Sequence, residues 1–301
     1  MTQKKIYVIG SSNTDMVIKS SKLPAAGETI IGGGFLMNAG GKGANQAVAA
    51  AKLGGDIIFV SKVGNDIFGK QAIEGFEHVG INTEFVFTDN QNPSGIALIL
   101  VDDKGENSIS VASGANANLH FSEVKKALEQ ISEGDIVLIQ LEIPIPTIEE
   151  TIKFCHTQKA IIILNPAPAQ KIDESVFPFI NFITPNETEA ELLTGIKVID
   201  LETAKLAAEE FHTKGIENVI ITLGSKGAFL HNSTTQKLIP SPLVKAIDTT
   251  AAGDVFNGAF SVALSKDFNL EKAIQFACKA ASISVTRMGA QASAPTLKEI
   301  L

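Results

Sequence analysis

Residues 248–254 read Asp-Thr-Thr-Ala-Ala-Gly-Asp, two carboxylates around the smallest residues in the chain. A run in helical register follows, with Val255, Ala259, Val262 and Ala263 on one side. The spacing predicts that Ala251, Ala252, Gly253 and Asp254 form the first turn of a helix, where backbone N–H groups have no intrahelical acceptors. With only small side chains in front, such donors can point at an oxyanion. Asp254 stands beside them as an acceptor-only group. It could take the proton of a hydroxyl that attacks a phosphate held by those N–H groups, and at a helix start its pKa is expected to be low. Asp248 is a turn away and could hold a cation. Helix capping explains either aspartate alone; two of them bracketing Ala-Ala-Gly point to a site.

Other stretches supply groups of a different kind. Residues 38–46, NAGGKGANQ, open directly into a helical run. Gly41 and its neighbours let a ligand approach backbone, and Lys42 and Asn45 add donors for hydroxyls. Asn13 and Asp15 in GSSNTD (10–15) follow the first strand-like run, and Glu142 follows another. Each alone reads as a turn residue or loop charge. Together, at the carboxyl ends of strands, they suit a polyhydroxylated ligand such as a sugar. In TPNETE (184–189), Asn186 and Glu189 share one face of a helix start, as a site pair or as a cap with its first-turn acid. The loop Thr222, Leu223, Gly224, Ser225, Lys226, Gly227 could cradle phosphates or be a hairpin turn into AFLHN. GNDIFGKQ (64–71) nearly fits a phosphate-loop pattern, but Gln71 replaces the hydroxyl and Ile67 and Phe68 fill its interior. It reads as the start of a helix over 66–79.

Short apolar runs at 5–10, 56–60, 135–140, 160–165, 182–186 and 218–224 read as buried parallel strands. Helical periods lie between them, among them 42–53, 200–214 and 268–286. This alternation predicts an α/β fold with helices on both faces of a mainly parallel sheet. Residues 16–38 and 94–113 break the rhythm with strand-like runs around Gly, Pro and polar turns. They are expected to pair as a small separate sheet over the carboxyl ends of the main strands, forming a lid on a single domain, 1–301. Ordinary antiparallel edge strands are the plainer reading of the hairpin by itself.

Composition narrows the partners. The chain has 301 residues, 45% hydrophobic and 19% charged, with net charge −8. It can build a large core, and the negative balance argues against nucleic acid. Cys155 and Cys278 are far apart and the five histidines are scattered, which argues against zinc and for a reducing, cytoplasmic setting. The N-terminal apolar run is too short for a signal peptide, and no run reaches membrane-spanning length.

The stretches NAGGKGANQAVAAAKLGG and DTTAAGD resemble the two signatures of the PfkB-type carbohydrate kinases. With GSSNTD, NETE and TRMGAQAS (286–293), the resemblance runs from Ile6 to Leu297. It implies a three-layer α/β/α fold with a small β-sheet lid. It further implies direct phosphoryl transfer from ATP, with Asp254 as base and Ala251, Ala252 and Gly253 around the anion hole. Asn13, Asp15, Gly41, Lys42, Asn45 and Glu142 match sugar-binding positions. Asn186, the loop 222–227 and Gly253 match nucleotide-binding positions, with Glu189 near Mg2+ and Cys278 near the adenine. Asp248, Thr250, Ser284, Arg287, Gly289 and Ser293 match a monovalent-cation (K+) site built mostly from carbonyls. Ala251, where the wider family often has Gly, resembles the branch that phosphorylates D-ribose at O5.

Deoxyribose remains open as a substrate. A nucleoside would need aromatic stacking, and the chain has no Trp and one Tyr, Tyr7. A sugar acid would call for a further arginine, and Arg287 is the only one. Fructose is a third possibility within the family. A non-catalytic sugar sensor would have lost Asp254 or the glycines. The outer face of the lid, with Ile96 and Leu98 or their alternates, is too apolar to stay wet and predicts a homodimer joined through it.

Overall fold

The computed structural model describes residues 4–31 and 33–300. Residue 32, within the expected lid stretch, and residues 1–3 and 301 lie outside the described residues. The chain begins with β1 (Ile6–Ile9), β2 (Asn13–Lys19), β3 (Gly34–Gly40), α1 (Lys42–Lys52), β4 (Ile57–Gly64), α2 (Ile67–His78) and β5 (Val86–Asp89). It continues through β6 (Gly95–Val101), β7 (Asn107–Ala112), α3 (Phe121–Leu128), β8 (Ile136–Ile139), α4 (Ile145–Thr157) and β9 (Ile161–Leu164). Then come β10 (Phe182–Ile183), α5 (Glu187–Thr194), α6 (Leu201–Thr213), β11 (Asn218–Thr222), β12 (Ala228–His231) and β13 (Gln236–Ile239). Three helices close the fold: α7 (Ala252–Ser265), α8 (Leu270–Ser284) and α9 (Leu297–Ile300).

β1 shows why these runs are apolar throughout. Successive side chains leave a strand on opposite faces. Ile6 and Val8 join the core under α1, α7 and α8, while Tyr7 and Ile9 join the core on the other face. Nine strands share this sheet in the order β13-β12-β11-β10-β9-β8-β1-β4-β5. The seven from β11 to β5 are parallel, and the β11–β12 and β12–β13 pairings are antiparallel. The result is the three-layer α/β/α arrangement.

The chain leaves β1 toward β4 on one side and later returns to β8 on the other. Loops after β1 and β8 therefore diverge, and a crevice opens between them. That topology sets Asn13, Asp15 and Glu142 around one opening.

The stretches 16–38 and 94–113 supply the second sheet, ordered β3-β2-β6-β7. Its outer pairings are antiparallel and β2–β6 is parallel. The register puts Asn13 and Asp15 with Ala97 and Val111 on one face, and Met16 and Ile18 with Phe35, Met37 and Leu98 on the other.

Some elements differ from expectation. The strand over 182–186 shrinks to Phe182–Ile183, because Pro185 has no N–H to continue a ladder. GNDIFGKQ is indeed a helix entry: the Asp66 side chain accepts from the Gly69 N–H at 2.8 Å and caps α2. Ala251 lies outside α7, as its N-cap, with φ 59 in the left-handed region. A Cβ costs roughly 1–2 kcal/mol in that conformation, so the turn into α7 is held against the preference of its own residue.

Candidate active site

Of the residues expected around a sugar, Asn13 and Glu142 line one cavity, and Asp15, Gly41, Lys42 and Asn45 do not line it. A cavity of about 420 Å³ is lined by Asn13, Val111, Asn116, Glu142 and Pro168, among others. Gly41 starts α1 with φ 88, and a Cβ there would lie 2.7 Å from the Asn13 nitrogen. A Cβ on Gly43 would lie 2.6 Å from the Gly10 carbonyl carbon. These glycines thus let the start of α1 dock against the end of β1. Packing, as much as ligand approach, demands them. The docking hands the Lys42 N–H to Glu142 Oε2 at 3.0 Å, and the Ser11 hydroxyl donates to the same oxygen.

The Lys42 ammonium lies within electrostatic reach of Asp254, Glu142, Glu189 and Asp15. Burial works against its charge, but the four carboxylates outweigh burial and raise its pKa. Asp15 is raised to about 6, first by burial, then by Glu142 and Asp254, with Lys42 opposing. Carboxylates grouped around one cation are suited to hydroxyl groups, each of which donates to a carboxylate and accepts from an amine or amide.

Two residues here escaped the sequence. Asn116, buried, donates from Nδ2 to Asn13 Oδ1 at 2.8 Å and accepts the Ser12 N–H on Oδ1. With its oxygen so engaged, Asn13 presents its own amide N–H groups to the cavity. Ser11 is the second. Ser11 lies within GSSNTD beside the stronger candidates Asn13 and Asp15, and Asn116 sits in the short turn Gly114–Asn118, whose polar residues carry no periodic signal.

Asp254 is buried at the start of α7. Asn45 Nδ2 donates to its Oδ2 at 3.0 Å and Gln46 Nε2 to its Oδ1 at 2.9 Å. The expected low pKa is corrected: burial pushes this carboxyl up, and Lys42, Gln46 and Asn45 only partly counter it. A helix terminus acts weakly beside desolvation of this extent. Among the described residues, the N–H groups of Gly253 and Asp254 have no acceptor, whereas Ala252 N–H reaches Thr249 O at 3.3 Å. Apart from its chain neighbours and the backbone of its own helix, no atom lies within 4 Å of where a Gly253 Cβ would stand, so the space before the helix start is open.

A second groove, about 220 Å³, runs to that helix start. Gly224, Ser225, Thr249, Ala252 and Ser282 line it. The loop 222–227 is the hairpin turn between β11 and β12, and it also borders this groove. Only its Gly224 and Ser225 do so. Leu223 and Lys226 line a separate groove with Asp200 and Leu238, the Thr222 N–H bonds Pro185 O, and Gly227 turns the chain at φ 108. Cys278 is packed in the core, its thiol raised to about 12 by burial, and it does not line the groove. Ala281 and Ser282, one turn further along α8, take that place.

Asn186 and Glu189 form a reciprocal cap on α5, with Glu189 N–H to Asn186 Oδ1 at 2.8 Å and Asn186 N–H to Glu189 Oε2 at 2.9 Å. The capping alternative is therefore real. Glu189 is nonetheless buried, and burial raises its pKa. Asp248 accepts the Thr250 N–H at 2.9 Å and the Gly289 N–H at 2.8 Å, which joins two segments 41 residues apart. Burial opposes its ionisation, but these donors and Lys19 hold it below the usual carboxylate range. Arg287 turns its guanidinium to Glu299, and the Ser284 and Ser293 hydroxyls bond carbonyls of their own turns. The expected cation residues thus converge through Asp248 and Gly289, with the three side chains of Ser284, Arg287 and Ser293 occupied elsewhere.

The sequence profile described as pfkB family carbohydrate kinase matches residues 3–297. A ribokinase of Haemophilus influenzae is 45% identical over 299 residues, 99% of this chain and 98% of that one. The crystal structure of a ribokinase from Thermotoga maritima is 43% identical with a TM-score of 0.89, covering 99% of this chain and 98% of that one. The structure of Arabidopsis thaliana ribokinase complexed with ribose and ATP is 32% identical with a TM-score of 0.90, with the same coverage.

Proposed function

The chain belongs to the pfkB family of carbohydrate kinases and phosphorylates ribose with ATP as donor; we propose that the transfer is direct, to O5, with the Asp254 carboxylate as general base. One observation carries this reading. Asp254 is a buried carboxylate fixed by two amide donors, beside N–H groups with no acceptor among the described residues and two residues along α7 from Ala252, which lines the second groove. Ribose bound against Asn13, Asp15, Lys42 and Glu142 brings a primary hydroxyl to Asp254. The N–H groups of Gly253 and Asp254 then stabilise the negative charge on the transferring phosphoryl group. Gly224 and Ser225 flank the nucleotide. The small sheet acts as a lid that excludes water, which would otherwise compete as nucleophile.

Two metal ions belong to the proposal. Glu189 fits Mg2+, because its buried carboxylate keeps acceptor capacity beyond the Asn186 N–H, and magnesium is commonly held by one or two carboxylates plus phosphates. Magnesium supplies charge neutralisation on the phosphates. Asp248, with carbonyls of 284–293, fits K+, since its two oxygens are pinned by N–H donors yet retain lone pairs. Two buried free cysteines, and no helix among the described residues long and apolar enough to cross a membrane, accord with a cytoplasmic enzyme.

Asp254→Asn tests the base. Its shape is retained, so ribose binding is expected to persist while kcat falls by about 10²–10⁴-fold. Turnover within a few-fold of wild type in a coupled ADP assay rejects the assignment.

A further inference from the structure

Behind the site lies a chain of buried amides that touches no cavity. Gln46 Nε2 donates to Asp254 Oδ1 and to Asn165 Oδ1, both at 2.9 Å, while its Oε1 accepts from Gln140 Nε2 at 2.7 Å. Asn165 Nδ2 donates to Thr184 O at 3.1 Å. The Thr184 hydroxyl donates to Asn257 Oδ1 at 2.6 Å, and Asn257 Nδ2 donates to Gly253 O at 2.9 Å. Gln46 and Gln140 are fully buried, Thr184 and Asn257 nearly so, and none of them lines the sugar cavity or the second groove.

The orientation of every amide follows from acceptor-only groups at the ends. The Asp254 carboxylate can face only the NH₂ of Gln46. The Thr184 carbonyl can face only the NH₂ of Asn165, and the Gly253 carbonyl only the NH₂ of Asn257. The Gly253 carbonyl and the Asp254 N–H belong to one peptide plane. Holding the first therefore aims the second.

We propose that Gln46, Asn165, Thr184 and Asn257 form a positioning network that fixes the Asp254 carboxylate and the adjacent anion-binding N–H as one unit. Gln46 sets the base, Asn257 sets the peptide plane, and Asn165 with Thr184 ties the two together. Thr184 is two residues before Asn186, so the same network carries the register of the α5 start to the reacting centre. The network rests on the reading of Asp254 as base. Its members are positioning residues, because they act through Asp254 and Gly253 and not on substrate.

The test compares Gln46→Met, Asn257→Leu and Gln140→Leu in the full-length enzyme, with kcat and KM measured across pH and ribose affinity by calorimetry. Gln46→Met is expected to lower kcat by about 10–10²-fold and leave ribose affinity unchanged. It should also move the acid limb of the kcat profile to higher pH. The sign follows from the lost donor, which favours the charged carboxylate. Asn257→Leu should lower kcat and raise KM for ATP with the limb unmoved. Gln140→Leu, which leaves both Gln46 donors in place, should keep the limb where it is. A Gln46→Met enzyme with an unmoved limb, or a Gln140→Leu enzyme shifted as far as Gln46→Met, overturns the proposal in favour of packing alone. Where Gln46→Met does not fold, Gln46→Glu keeps length and shape. Its second carboxylate should raise the limb further, and an unmoved limb is equally fatal. Turnover by Asp254→Asn rejects the base itself; an inactive Asp254→Asn beside wild-type behaviour at Gln46 rejects only the network.

Discussion

Asp15, proposed to bind the sugar, opposes the stability of its own fold. Its carboxyl is raised to about 6 by burial and by Glu142 and Asp254. The folded free protein therefore binds more protons than the unfolded chain between about pH 4 and 6. Stability from this group is greatest at low pH and declines as pH rises through that window. Asp15→Asn removes the buried charge and its repulsion by Glu142 and Asp254, and should stabilise the sugar-free protein at pH 7 by an amount on the order of 1 kcal/mol after screening, read as a raised melting temperature. Function runs the other way, since a protonated Asp15 loses acceptor capacity for sugar hydroxyls. KM for ribose should rise as pH falls below about 6, and Asp15→Asn should show a raised KM at all pH values. A variant less stable than wild type at pH 7, with unchanged KM, contradicts both parts. The sequence disclosed Asp15 because it ends the short polar run GSSNTD after an apolar strand, although the structure places it within β2. It disclosed neither Asn116 nor Gln46: their roles depend on which amide faces which acceptor across more than 100 residues.

At the scale of elements, the two glycine-rich helix starts differ in what their glycines do. At α1, a Gly43 Cβ would meet backbone of Gly10 and Ser11 at 2.6 Å, with no flexible side chain to yield. Gly43→Ala should force α1 from β1, cost about 1–3 kcal/mol, and lower ribose affinity and thermal stability together. At α7, a Gly253 Cβ meets nothing. Gly253→Ala should fold with unchanged melting temperature, yet place a methyl where the phosphoryl group must approach, so kcat falls. Thermal melts beside kinetics separate the two; equal melting temperatures for both variants would refute the contrast. The sequence showed both starts as small-residue runs but could not tell packing from access. It also missed β13, α3 and α4, whose short or mixed runs lack a sustained period, and it could not show that Cys278 packs in the core while Ala281 and Ser282 line the groove. The cation loop belongs at this scale too. Asp248 ties 247–250 to the loop of Gly289 and so borders the turn at Ala251. Potassium should raise turnover more than sodium at fixed magnesium, and Asp248→Ala should abolish most of that response with ribose affinity intact. Equal rates with and without potassium rule the site out.

For the molecule as a whole, the parallel order of the main sheet was readable from apolar runs alternating with helical periods, because each strand is covered on both faces. The second sheet was readable only as an interruption of that rhythm. Its consequence is an unburied apolar face: Phe35 is 62% exposed and Leu98 55%, with Ile18 and Met37 beside them in register. The opposite face carries Asn13 and Asp15, the proposed sugar contacts, and the outer face has no partner within the described chain. Two copies meeting through it would bury those side chains and brace the sheet over the cavity, which links assembly to the closing of the site. The protein should therefore sediment as a dimer at micromolar concentration. Leu98→Asp with Phe35→Asp should give monomers, because a carboxylate buried at a two-fold contact meets its own copy or an apolar surface. Those monomers should keep the fold by circular dichroism and show a raised KM for ribose, since neither residue lines the sugar cavity but both belong to the sheet that covers it. A wild-type monomer in the ultracentrifuge contradicts the assembly. A double variant that is monomeric with unaltered KM separates assembly from the lid.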